Sequence, residues 1–185
     1  MAFPLVVERT AMASGLLLRP WVEQDIPAMV EAHRDPQMRR WLLHPIETAE
    51  QAGTVIESCQ SDAKAGKRFS FAVLETAAGG EAERLVGGVS LRRPDAGTAM
   101  AEVGYWVAAP ARGRGVAPRA LQAVCAWAFS TIRNPSLRRL ELIHSVGNHA
   151  SCRVAEKAGF TLSAVLPPLP PDFPDDGHLH VRVGK

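Results

Sequence analysis

The stretch Ala101-Glu102-Val103-Gly104-Tyr105-Trp106-Val107-Ala108-Ala109-Pro110-Ala111-Arg112-Gly113-Arg114-Gly115-Val116-Ala117 decides how this chain reads. It opens as a strand, with Glu102, Gly104 and Trp106 alternating against Val103, Tyr105 and Val107. A Pro-, Arg- and Gly-containing turn follows, then a helix whose Ala117, Leu121, Val124 and Ala128 share one face. Glycine admits positive φ and close backbone approach, and the first-turn N–H groups of a helix have no intrahelical acceptor. Together with the positive end of the helix dipole, such a loop is an anion site suited to phosphates. Arg112, Arg114 and Arg119 would add charge there. A plain solvated strand-to-helix turn fits the same glycines equally well. The loop is neither a G-x-G-x-x-G dinucleotide fingerprint nor a Walker A loop, because no G-K-[ST] follows.

Working outward, the apolar run Leu16-Leu17-Leu18-Arg19 stopped by Pro20 predicts a first strand. Residues 24–34 carry Ile26, Met29, Val30 and His33 at helical spacing, with Asp25 as a candidate cap. Residues 37–43 read as a second short helix after Asp35-Pro36, and residues 48–64 as a longer amphipathic one ended by Gly66. Strand patterns then occupy 69–75 and 85–92, joined as a hairpin across Ala77-Ala78-Gly79-Gly80, and 98–107. Beyond the central helix the order is strand 138–145, helix 150–158, strand 160–166, a Pro-rich connection over 167–178 and a last strand at 179–183. This predicts a mixed α/β fold in one domain, with residues 1–13 as an N-terminal extension.

Composition bounds the function. The 185 residues hold 21 Lys+Arg against 19 Asp+Glu, a net charge of +2, which argues against a dedicated nucleic-acid binder. No apolar run approaches the ~20 residues of a membrane span, and the start lacks a signal-peptide pattern, so a cytoplasmic, non-membrane protein is expected. Cys59, Cys125 and Cys152 are odd in number and include no C-x-x-C pair, which gives zinc and redox readings little support; no metal is expected. Each cysteine reads as a small apolar residue within a helix.

Three motifs resemble those of the GNAT superfamily of N-acetyltransferases, and of its RimJ/RimL-like branch in particular. Arg112-x-x-Gly115-x-Ala117 is similar to the family's Q/R-x-x-G-x-G/A signature, and residues 101–107 resemble its fourth strand. Asn148-His149-Ala150-Ser151, continuing to Lys157-Ala158-Gly159-Phe160, looks like the branch's N-x-x-S ending. Leu16-Leu17-Leu18-Arg19-Pro20 resembles its opening strand. The resemblance covers residues 14–166. It implies a central, mostly antiparallel sheet splayed between the fourth and fifth strands, flanked by helices.

It also implies acetyl-CoA as co-substrate. The pyrophosphate would lie on the backbone of Arg112, Gly113, Arg114, Gly115, Val116 and Ala117. The pantetheine arm would enter the splay and bond backbone at Val107 and Ala108. Asn148 would touch that arm, and Ser151 would sit near the thioester sulfur and protonate the leaving thiolate. Asn148 reads equally as a helix N-cap, and Ser151 as a structural hydroxyl.

The acceptor implied is a primary amine, on a protein N-terminus or a small molecule, attacking directly in a ternary complex. Glu102 is the first candidate for the assisting base, with His144 and His149 as alternatives. Tyr105, the only tyrosine, suits either the site or the core. Arg39, Arg40, Trp41 and His44, with His33 and Arg34 nearby, form a basic and aromatic set in the segment that would shape the acceptor cleft. They would suit a carboxylate-bearing acceptor, or an acidic acyl group such as succinyl on the donor. Paired arginines also commonly make a solvated helix face. A non-catalytic CoA-binding module and a homodimer remain open alternatives.

Overall fold

In the run Leu16-Leu17-Leu18, Leu16 and Leu18 are buried in one hydrophobic cluster while Leu17 packs against another. A strand apolar on both faces needs a covering layer on each side, and the computed structural model has this arrangement. It describes residues 4–76, 82–95, 97–133 and 135–184. In chain order the strands are β1 (Leu5–Val7), β2 (Gly15–Pro20), β3 (Arg68–Thr76), β4 (Ala82–Arg92), β5 (Met100–Val107), β6 (Arg139–Ser145), β7 (Thr161–Leu166) and β8 (Gly177–Val183). The helices are α1 (Ile26–His33), α2 (Pro36–Arg39), α3 (Ala49–Lys64), α4 (Val116–Thr131) and α5 (His149–Lys157). The eight strands form one sheet in the order β1-β2-β3-β4-β5-β6-β8-β7, antiparallel except where β5 meets β6.

Helix α4 covers one face. Its predicted stripe of Ala117, Leu121, Val124 and Ala128 is buried, joined by Ala120 and Cys125, against Phe71, Val89, Leu91, Val103 and Leu140. Helices α1 and α3 cover the other face around Trp21, Met29, Ile56 and Cys59. Helix α3 starts at a reciprocal capping box. The Gln51 N–H donates to Thr48 Oγ1 at 3.2 Å, and the Thr48 N–H donates to Gln51 Oε1 at 3.2 Å.

Several expectations shift. Asp25 is the N-cap residue of α1, as predicted, but its carboxylate makes no cap bond to that helix; it takes a bidentate fork from Arg19 at 2.7 and 2.8 Å and the Val22 N–H at 3.1 Å, tying the end of β2 to the turn before α1. The second helix is shorter than predicted, at Pro36–Arg39. The N-terminal extension contributes a strand, because Leu5, Val6 and Val7 pair with Leu18, Leu17 and Leu16. The splay expected between a fourth and a fifth strand therefore falls between β5 and β6. The last strand, two residues longer than predicted, inserts between β6 and β7. The predicted turn over residues 77–80 lies outside the described residues. Among the described residues no helix is long and apolar enough to cross a membrane.

Trp21 and Trp106 stack at 6.0 Å between ring centroids, beside Gly88. A Cβ at Gly88 would lie 2.7 Å from Trp106 Nε1 and 2.9 Å from Trp21 Cζ2. Gly88→Val should therefore cost about 1–3 kcal/mol through overpacking, read as a lower urea midpoint at unchanged m-value.

Candidate active site

The parallel pairing of β5 and β6 lasts for only Met100, Ala101 and Glu102 against Arg139, Leu140 and Glu141. Beyond that the strands part, β5 staying with β4 as far as Val107 and β6 with β8 as far as Ser145. The Ala108 N–H donates to the Val86 carbonyl at 3.0 Å, so it faces β4. Strand alternation then turns the Val103 carbonyl and the backbone groups of Tyr105 and Val107 toward the gap, the Val103 N–H closing the ladder to β6. An extended chain with amides along it could pair with such an edge as an added strand.

At the end of the gap, β5 runs through a short 3₁₀ turn (Ala109–Ala111) into the loop before α4. Gly113 and Gly115 both sit in the left-handed region, at φ 74° and 75°. An added Cβ would meet nothing within 4 Å at Gly113, and only Arg119 Cδ at 4.0 Å at Gly115. Conformation rather than crowding requires glycine here, and the space before the loop stays open. Gly115 is the N-cap of α4, so the Val116 and Ala117 amides lie in a first turn with no intrahelical acceptor. A cleft of about 430 Å³ lies against Gly113, Arg114, Val116 and Arg119, walled on its far side by residues 9–14. Amides, dipole and cleft together fit a phosphate-bearing ligand.

The three arginines are engaged within the protein. Arg112 donates to the Val107 carbonyl at 3.3 Å, to Gln37 Oε1 at 2.8 Å and to the Asp35 carboxylate. The Arg112 guanidinium holds the Asp35 carboxyl below its usual range. Arg114 is ion-paired with Glu75. Arg119 donates to the carbonyls of Ser14 and Glu8 at 2.7 Å each. They fix the shape of the loop, and Arg114 and Arg119 still line the cleft.

Asn148 accepts the Ser151 N–H at 3.2 Å and so caps α5. The Ser151 hydroxyl, buried, lies 3.0 Å from the Tyr105 hydroxyl. Burial raises the Tyr105 pKa, outweighing the Ser151 hydrogen bond, so the phenol stays protonated at neutral pH. Glu102 lies on the opposite face of β5, along with Gly104 and Trp106, where its carboxylate accepts from Arg92 at 2.7 Å. Of the two predicted catalytic residues, then, Ser151 is joined to Tyr105 and Glu102 is three residues back along β5. His144 Nδ1 donates to the Ser145 carbonyl at 2.8 Å, and His149 is exposed at the start of α5.

The basic and aromatic set divides. Arg39 pairs with Glu47, Arg40 lies over the Trp41 ring at 4.7 Å, and His44 lines a separate groove with Ile46 and Val55. Trp41 reaches Gly147, where a Cβ would lie 3.6 Å from Trp41 Cη2. Since Asp35 and Gln37 hold Arg112, the segment 35–41 bridges from the loop after β5 to the loop after β6. The sequence reading missed Asp35, Gln37 and Glu75. Asp35-Pro36 read only as a helix boundary, although Asp35 also accepts the Met38 N–H at 2.8 Å as the cap of α2.

Residues 15–161 match the family model for the acetyltransferase (GNAT) domain. The chain belongs to that family. Among GNAT relatives, the Bacillus subtilis protein YdaF, described as a candidate ribosomal N-acetyltransferase, is 34% identical over 76 residues. That match spans 41% of this chain and 40% of YdaF. RimL, a ribosomal-protein α-N-acetyltransferase solved in complex with coenzyme A, superposes with a TM-score of 0.80 at 19% identity, covering 96% of this chain and 97% of RimL. Mycobacterium smegmatis RimJ, solved with a CoA disulfide, gives 0.79 at 22% identity over 98% of this chain and 86% of RimJ. At these identities the structures establish the fold.

Glu75 is almost buried, and burial alone would raise its pKa. Hydrogen bonds from Ser14, Arg84 and Arg114 outweigh that and hold it below the usual carboxylate value. Its stabilisation is therefore present above the unfolded-state pKa of about 4.3 and is lost as pH falls through the lower folded value. Glu75→Gln should lower Tm at pH 7 and flatten the decline in Tm that the native protein shows below about pH 4.3, a difference that thermal melts across pH will measure.

Proposed function

We propose that this GNAT protein transfers an acetyl group from acetyl-CoA to a primary amine, by direct attack in a ternary complex. The observation carrying this reading is the parting of β5 and β6 beneath the glycine loop. It sets an open strand edge, suited to the pantetheine arm, next in the chain to amides and a helix N-terminus suited to the pyrophosphate. In this reading Gly113, Gly115, Val116 and Ala117 hold the phosphates, and Asn148 positions the first turn of α5 beside the arm. The Ala108 amide is already bonded to Val86, and the Val107 carbonyl to Arg112, so Tyr105 and the Val103 carbonyl supply the strand-edge contacts.

The thioester would then lie near the Tyr105–Ser151 pair. The amine nitrogen forms a bond to the acyl carbon, the carbon–sulfur bond breaks, and the thiolate leaves with a proton. Tyr105, kept protonated by its burial, is the donor we favour, with Ser151 orienting its hydroxyl. The amine's surplus proton passes through water to Glu102 on the opposite face, where Trp106 also lies. With Arg39 held by Glu47 and Arg40 stacked on Trp41, acetyl is favoured over succinyl as the acyl group. The descriptions of YdaF as a candidate ribosomal N-acetyltransferase and of RimL as a ribosomal-protein α-N-acetyltransferase favour the N-terminal α-amine of a ribosomal protein as acceptor.

Calorimetric titration of the native protein should show acetyl-CoA binding more tightly than succinyl-CoA. Gly115→Val, which must adopt positive φ, should weaken acetyl-CoA by at least about tenfold, or ~1.4 kcal/mol, with the fold kept by circular dichroism. Absence of binding by the native protein to either donor would refute the reading. Mass spectrometry of ribosomal-protein N-terminal peptides incubated with acetyl-CoA tests the acceptor.

Tyr105→Phe should reduce kcat by roughly 10²–10⁴-fold while leaving acetyl-CoA affinity within a few fold. Because its pKa is raised, the alkaline limb of the native kcat profile should fall only above about pH 10.

A further inference from the structure

Beside the parted strands, on the α5 side, four metal-ligating side chains converge from three elements. His144 comes from β6, Cys152 from α5, and His178 and His180 from β8. One donor atom of each lies within 4.8 Å of those of the other three. The fold builds this cluster by two routes. His178 and His180 are two apart on a strand, so they share a face, and the register sets His178 opposite His144 on β6. Helix α5 then lays Cys152 over the pair, with Sγ 3.2 Å from His178 Nδ1. The rings of His144 and His180 stack at 5.1 Å, and that of His178 meets them edge-on at 5.6 and 6.0 Å.

Hydrogen bonding points to a ligand. A carbonyl oxygen can only accept, so the bond from His144 Nδ1 to the Ser145 carbonyl fixes the proton on Nδ1. That leaves the lone pair of Nε2, a buried atom with no hydrogen-bond partner among the described residues. A ring nitrogen anchored on a backbone carbonyl, with the other free, is the usual posture of a metal-binding histidine. His180 is 1% exposed, and neither of its ring nitrogens has a hydrogen-bond partner among the described residues. A buried polar group without a partner destabilises the fold, and coordination would offset that cost.

We propose that His144, Cys152, His178 and His180 form a tetrahedral site for a divalent transition ion of the Zn²⁺ class. Three imidazoles and one thiolate suit that ion's borderline softness, whereas hard, oxygen-seeking Mg²⁺ or Ca²⁺ would be excluded. Metal bonds of about 2.0–2.3 Å require donor separations of roughly 3.3–3.8 Å, so small side-chain rotations close the present cluster. With four protein ligands and no open position, the ion is structural. It ties β6 and β8 to the first turn of α5, which carries Ser151 next to Cys152. The site borders the Tyr105–Ser151 pair but does not rest on acetyl transfer, and its failure would leave the proposed function untouched.

The test uses untagged, CoA-free native protein, stripped with a chelator and reloaded with Zn²⁺ or Co²⁺. Elemental analysis should give one zinc per chain, and zinc should raise Tm. Cobalt should give the intense visible band of a tetrahedral ion and a near-ultraviolet sulfur-to-cobalt charge-transfer band. Cys152→Ser should abolish the charge-transfer band, and the half-buried His178→Asn should weaken zinc by roughly tenfold or more, both with native circular dichroism. Less than stoichiometric zinc after reloading, octahedral cobalt spectra, or zinc binding unaltered in both variants would each overturn the proposal. If either variant fails to fold, the charge-transfer band of the native protein alone decides whether a thiolate binds the ion.

Discussion

Everything at the candidate site follows from the place where β5 and β6 stop pairing. Three residue pairs hold the two strands in parallel, and then each leaves with a different neighbour. A buried strand edge without partners is costly, so a fold keeps one only where something else pairs with it. Here the edge ends under two left-handed glycines and a helix N-terminus. Beside the gap, Tyr105 of β5 meets Ser151 of α5 at 3.0 Å.

The arginines around this opening show how charge is used for shape. In the sequence they read as ligand contacts. In the structure Arg112 joins the loop after β5 to Asp35 and Gln37, while Arg114 and Arg119 hold the loop to β3 and to the backbone near β2. A guanidinium has several donors in a fixed fork, so one arginine can lock three groups at once. In the function proposed, the phosphates are left to backbone amides that the fold has already fixed in place. The same economy is visible in segment 35–41, where a helix cap, an ion pair and a tryptophan together span the open end of the gap.

Much of the fold was legible in the sequence because it depends on local rules. The alternation over residues 101–107 and the period of Ala117, Leu121, Val124 and Ala128 report which face is apolar, and burial obeys them. The glycines at 66, 113 and 115 name backbone conformations that the structure adopts. The strand Leu5–Val7 was missed because three residues carry too short a period. The length of α2 was overestimated because the apolar spacing of residues 37–43 runs on past Arg39, where the helix ends with Arg40 as its cap.

The chain alone therefore determined the mixed α/β class, the glycine loop before α4 and its likeness to the GNAT acetyltransferases, since each rests on neighbouring residues and backbone preferences. Only the tertiary structure decided which side chains meet. Ser151 and Tyr105 are 46 residues apart and Arg112 and Asp35 are 77 apart, and no local pattern links them. The His144, Cys152, His178 and His180 cluster shows the same limit. The sequence reading ended the Pro-rich connection at His178 and so parted it from His180, and the partners of both arrive by strand register and helix packing. Those are set by the burial of whole faces, a property of the folded chain rather than of any segment.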